Sequence, residues 1–302
     1  MVHAPLYDTH AHFFSSDLQR YPIDIANARE GEANLRRRIL AEPATPERIF
    51  GLWDESGVSG GAGVQYNTVY KHDNSYVLDV AEQHANRVAP VVMMNAAAAD
   101  TPATLTRYIN GRGIAGLRLF GRADASGAYP WLDSPAALET WQIADRHGLA
   151  MVLMAAPAQV TPAVLERVAA LAERFPATTI TLDHFAWAGA QPTDLGLPEP
   201  LVKMRKHRNV YYKLTTINFH LFDRTGIDAA QFVRRAADIF GADHMMWGSD
   251  VSNTLESFVL MAHRARMSAA LLTAAESKLF LHDTGARLFP CRDQRTRLAK
   301  LA

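Results

Sequence analysis

Val210-Tyr211-Tyr212-Lys213-Leu214-Thr215, a segment of helical periodicity at 228–240, and Met245-Met246-Trp247-Gly248-Ser249-Asp250 together form the stretch on which the fold turns. The two flanking runs are short and rich in apolar, aromatic and β-branched residues, as buried strands are. A strand, a helix and a second strand in that order call for parallel pairing through a right-handed crossover. Each run also carries a polar residue at or near its end, Lys213 in one and Asp250 in the other.

Outward from this stretch the same unit recurs along the whole chain. Strands are expected at 5–12, 59–66, 88–95, 114–120, 149–155, 178–185, 210–215 and 245–250. Helices separate them, opened by Thr45-Pro46, Thr101-Pro102 and Thr161-Pro162 and closed by Gly148 and Pro176. Eight strand-helix units are what a closed (β/α)8 TIM barrel requires, with an open doubly wound sheet as the second choice. A length of 302 residues suits one such domain. The expectation is therefore a single α/β barrel over residues 1–290, distorted by polar insertions at 15–43 and 121–134, and a charged tail at 291–302. The basic run Arg36-Arg37-Arg38 in the first insertion reads as a solvated helix face.

Composition narrows the partners. Lys plus Arg and Asp plus Glu number 31 each, so no global field favours nucleic acid, a membrane surface or polyanions. No run approaches the roughly 18 apolar residues of a membrane span. The single cysteine, Cys291, forms no internal disulfide, and the N-terminus has no basic region leading into an apolar run, which together point to a reducing cytoplasm. A small-molecule partner is expected, and the composition carries no argument about a homo-oligomer.

In a barrel of this kind the site lies at the C-terminal ends of the strands. The first strand ends in His10 and His12, two imidazoles two residues apart and therefore on one strand face, with Asp8 below them. The fourth carries Arg118, the sixth ends in Asp183-His184, the seventh carries Lys213, and the eighth ends in Gly248-Ser249-Asp250. One such residue means little, but five strands agreeing point to chemistry. Two other matches are misplaced. The run Gly111 to Gly116 fits a dinucleotide glycine pattern but precedes a strand when it should follow one. The run Gly57 to Gly61, around Ser59, fits a serine-hydrolase elbow but also leads into a strand.

Asp8-Thr9-His10-Ala11-His12, Asp73-Asn74-Ser75-Tyr76, Gly116-Leu117-Arg118, Leu182-Asp183-His184 and Trp247-Gly248-Ser249-Asp250, in this order and strand placement, resemble the amidohydrolase superfamily. The branch they resemble is the amidohydrolase-related one that includes pyrone-dicarboxylate and sugar-lactone hydrolases. The resemblance spans roughly residues 7–289 and implies a barrel with a hydrolytic water. The chain departs from the binuclear-metal members: the fifth strand has no histidine, and Arg118 stands where those members have a bridging lysine. A single divalent metal such as zinc, held by His10, His12 and Asp250 with His184 as a further ligand, and metal-independent catalysis both stay open.

The resemblance implies opening of a lactone on a small carboxylate-bearing substrate. Asp250 would take a proton from water, His184 or a metal would polarise the carbonyl, and His10 and His12 would position the water or bind the metal. Arg118, with Arg122 and Lys213, would clamp the carboxylate, and Gln65 and Asn67 would line the pocket. Three alternatives remain: a mononuclear-metal decarboxylase of a semialdehyde acid, a non-catalytic ligand-binding barrel, and a serine hydrolase using Ser59.

Overall fold

The computed structural model describes residues 4–156 and 160–292. Eight strands pair in parallel in the order of the chain: β1 (Leu6–Ala11), β2 (Val58–Val64), β3 (Val88–Met93), β4 (Gly116–Gly121), β5 (Ala150–Ala155), β6 (Ile180–Leu182), β7 (Val210–Thr215) and β8 (Met245–Gly248). Helices between the strands cover the sheet, giving the expected (β/α)8 barrel as a single domain. No helix among the described residues is long and apolar enough to cross a membrane.

The seam between β1 and β8 is built differently from the others. Ala11 bridges Val251, the Asp250 amide donates to the His10 carbonyl at 2.8 Å, and Thr9 Oγ1 donates to the Trp247 carbonyl at 2.6 Å. Asp8 completes the join, accepting from the Ser249 amide, Ser249 Oγ, the His10 amide and Trp53 Nε1 at 2.6–3.1 Å. Burial pushes the Asp8 carboxyl up from its ordinary value, and these four donors pull the other way. Gly248 allows the close approach, because a Cβ there would lie 2.6 Å from the His10 Cβ.

Most strands are a residue or two shorter than expected, and β6 and β8 stop short at the end that faces the site. β6 ends at Leu182 because the chain turns abruptly into a left-handed conformation, and β8 ends at Gly248. The helix Thr216–Thr225 directly after β7 has no counterpart in the sequence reading. The first insertion contains a helix, Glu32–Ala41, whose Arg36 and Arg37 are exposed as expected. Arg38 instead turns inward to Glu30 and the Ser252 carbonyl. Cys291 is not part of a solvated tail: it is fully buried in the barrel interior with Phe289, Tyr7, Val152 and Met246. The rest of the expected tail, residues 293–302, lies outside the described residues.

Candidate active site

At the C-terminal ends of the strands a cavity of about 280 Å³ is lined by His12, Asn67, Arg118, His184, Trp187 and Asp250, with loop residues above them. His10 lies directly behind, fully buried. Its Nε2 is 3.5 Å from Asp250 Oδ1, and His12 Nε2 approaches the same oxygen at 3.3 Å. The His12 ring is oriented from both sides. Its Nδ1 faces the Val64 carbonyl at 2.9 Å and its ring stacks on Tyr66.

A carbonyl oxygen only accepts, so His12 Nδ1 carries the proton there and its Nε2 presents a lone pair when the ring is neutral. That lone pair faces a carboxylate oxygen, so a cation or a proton belongs between them. Asp250 Oδ1 and His10 Nε2 are both buried without a hydrogen-bond partner. His10, His184 and Asp250 each offer a ligand atom within 4.8 Å of the others. Two imidazole nitrogens and a carboxylate form a donor set suited to zinc, so these residues fit a divalent ion.

Asp250 itself stands at a left-handed backbone position, with φ 59°. Asn253 Nδ2 and Thr254 Oγ1 donate to its Oδ2 at 2.7 and 3.0 Å, which turns Oδ1 toward the histidines. Burial pushes its carboxyl up, but His12, His10 and His184 outweigh burial and hold it below the ordinary carboxylate range. Burial lowers His10 well below its ordinary value and His184 to about 4, so both rings are neutral at neutral pH.

His184 is carried by an irregular turn. His184, Phe185, Ala186 and Trp187 all have φ between 48° and 58°, the left-handed region that residues with a Cβ rarely adopt. Asn218 holds the turn, donating to the His184 and Ala188 carbonyls at 2.8 and 3.1 Å while its Oδ1 accepts from the Thr215 amide. Thr215 Oγ1 meets His184 Nδ1 at 2.8 Å, and Trp187 Nε1 donates to the Ala155 carbonyl.

Asp183, a strand-end residue to which the sequence assigns no role, is an internal hub. Arg118 Nε reaches its Oδ2 at 2.8 Å, Lys213 Nζ its Oδ1 at 2.9 Å, and His10 Nδ1 the same oxygen at 3.4 Å. Burial raises Asp183, yet Lys213, His10 and Arg118 together hold it well below the ordinary range. Lys213 is fully buried and does not line the cavity. Arg122, just beyond β4, is not among the lining residues either. Gln65 is turned away, donating to the carbonyls of Lys71 and Asp73. Of the expected substrate contacts, Arg118 and Asn67 stand at the cavity. The insertion loop adds Asn27, Arg29 and Glu30, which sequence reasoning could not place.

A TIM barrel whose first strand carries His10 with His12 just beyond it, and whose last strand is followed by Asp250, is of the class of barrel enzymes with their site at the C-terminal mouth. The chain belongs to the amidohydrolase family, whose model matches residues 7–291, and is an amidohydrolase-type hydrolase. An L-fucono-1,5-lactonase from Burkholderia ambifaria is 29% identical over 219 residues, which are 67% of this chain and 70% of that protein. A 2-pyrone-4,6-dicarboxylic acid hydrolase from Pseudomonas putida superposes with TM-score 0.70 at 22% identity, covering 95% of this chain and 98% of that one. An amidohydrolase from Burkholderia multivorans with bound zinc gives TM-score 0.72 at 19% identity, over 95% and 100% of the two chains. A 2,6-dihydroxybenzoate decarboxylase from Rhizobium shares the barrel as well, with TM-score 0.67 at 14% identity over 95% and 99%.

Proposed function

We propose that the chain is a lactonase, opening a cyclic ester of a small acid with water activated by Asp250. The observation that carries this reading is the orientation of Asp250: one carboxylate oxygen is fixed by Asn253 and Thr254, and the other is left unpartnered beside His10 and His12. Water lying at Oδ1 attacks the ester carbonyl carbon as its proton passes to that oxygen. The neutral His184 ring and Arg118 donate to the carbonyl oxygen as it becomes negative. Collapse of the tetrahedral intermediate breaks the ring C–O bond, and Asp250 returns the proton to the departing alkoxide. Asn67 contacts the substrate at the cavity wall.

His10, His12 and Asp250, with His184 beside them, would hold one divalent ion such as zinc. When bound, the ion lowers the pKa of water and polarises the ester carbonyl. In that state His10 Nδ1–H faces Asp183, which leaves Nε2 free as a ligand, a carboxylate–histidine arrangement that orients the ring. A reducing, cytoplasmic setting suits the one buried cysteine.

The decarboxylase reading uses the same histidines and aspartate to break a C–C bond, and its support here is likeness of fold. Acid release from a lactone panel, followed with a pH indicator, tests the proposal. Hydrolysis that disappears in Asp250→Asn supports it, whereas carbon dioxide release from a semialdehyde acid or an aromatic acid without lactone turnover would overturn it. Elemental analysis and activity after chelation decide the ion.

A further inference from the structure

We propose that Arg29, at the seam between the catalytic cavity and a second chamber, reads the anionic group of the substrate. The substrate is then an acid whose charge lies on an arm away from the scissile ester. This rests on the lactonase reading above and names the residue that selects the substrate.

Charge pairing within the catalytic cavity singles out Arg29. The cations that line it are Arg29, Lys71 and Arg118, and the carboxylates are Glu30 and Asp250. Arg118 is offset by Asp183. Glu30 is matched in a fork by Arg38 Nη2 and Nε at 2.6 and 3.1 Å. Asp250 faces the histidines. Lys71 Nζ donates to the Ala26 carbonyl at 3.3 Å and has no carboxylate within ion-pair distance among the described residues. Arg29 is exposed, and it has neither an ion pair nor a hydrogen bond among the described residues. At the wall of both cavities its guanidinium, engaged by no acceptor of the described chain, is available to an incoming carboxylate.

Arg29 is also presented rigidly. The Asp24 amide donates to the Val69 carbonyl, the Gly31 amide to the Ala28 carbonyl, and Lys71 grips Ala26. Arg38 ties Glu30 to the Ser252 carbonyl. The same Arg29 lines a second chamber of about 460 Å³ that shares Trp187, Ile217 and Asn253 with the catalytic cavity and has His220 and Arg224 at its wall. An arm leaving a ring held at Asp250 therefore passes Arg29 on its way out. The planar guanidinium fork suits a carboxylate on that arm.

The test is equilibrium titration of the full chain with two carboxylate probes, D-gluconate and tricarballylate, beside kcat/KM for a carboxylate-bearing lactone and its methyl ester. Arg29→Gln is expected to weaken probe binding tenfold or more, with partial recovery in Arg29→Lys, and to lower the charged-to-ester kcat/KM ratio by a similar factor. Arg29→Gln removes no internal ion pair, so an unchanged thermal midpoint verifies folding. Probe affinities within twofold of wild type in Arg29→Gln, or no probe binding by a wild type that does open lactones, would overturn the inference. Arg29-dependent binding in a protein that opens no lactone would overturn the lactonase reading and leave the inference standing.

Discussion

The proton on His12 is located by its neighbour: Val64 offers only a carbonyl, so the lone pair is directed at Asp250. Removing the Asp250 charge should be decisive. Asp250→Asn is expected to lower kcat on the order of a thousandfold, the scale of a lost general base, with substrate affinity largely kept, and single-turnover kinetics with separate binding measurements check it. The buried histidines also set the acid limit. The His184 ring protonates at about 4 in the folded protein, against 6.5 for an ordinary histidine. Between these values the unfolded chain holds the extra proton. Stability contributed by this ring is therefore lost as pH falls from 6.5 toward 4, at up to about 1.4 kcal/mol per pH unit. Urea titrations at pH 7, 6 and 5 should show that slope, and His184→Gln should lessen it, leaving the share that His10 contributes. The strand-end residues His10, His12, Arg118, His184 and Asp250 were legible because polar groups interrupt apolar runs there. Which way each side chain points was not: Lys213 sits in a strand like Arg118 but points into the interior, and Gln65 serves a loop. Arg29 lies in an insertion with no periodicity, so nothing local marks it.

At the scale of elements, the turn from His184 to Trp187 matters most. Sequence patterns reveal left-handed backbone through glycine, and these four residues include none. Periodicity therefore carried β6 on to Phe185, where the strand in fact stops at Leu182. Such a turn costs roughly 1–2 kcal/mol per residue and persists because its surroundings hold it. The helix Thr216–Thr225 supplies that hold through Asn218. Asn218→Ala leaves two carbonyls and one amide without their partner, and we expect a loss of about 2–4 kcal/mol in chemical denaturation. The kcat of the surviving folded fraction should also fall, because His184 loses its seat. An unchanged kcat at equal folded fraction would separate the turn from catalysis.

For the whole molecule, the barrel was legible because alternation of strand and helix is a repeated, long-range signal, and eight repeats leave few alternatives. The far end of the barrel was less so. Ser59 there meets His282 Nε2 at 3.0 Å, and His282 Nδ1 meets Asp283 at 2.8 Å, an order of groups known from serine hydrolases. Ser59 lies at the N-terminal start of β2, and none of the cavities described here includes it. Ser59→Ala is accordingly expected to leave lactone hydrolysis within twofold of wild type in steady-state assays. If His10, His12 and Asp250 hold an ion, chelation should abolish activity and lower the thermal midpoint, and zinc readdition should restore both; full activity in metal-free protein would leave the histidines with hydrogen-bonding roles only. The seam that closes the barrel bears on synthesis as well. Asp8 and Ser249 are 241 residues apart in sequence, yet their contact places Asp250 beside His10. On the ribosome, the first strand must wait, its edge unpaired, while nearly the whole remaining chain is made. Catalytic competence is thus acquired in one late step, and a nascent chain halted before β8 is chemically silent however much of its barrel has formed.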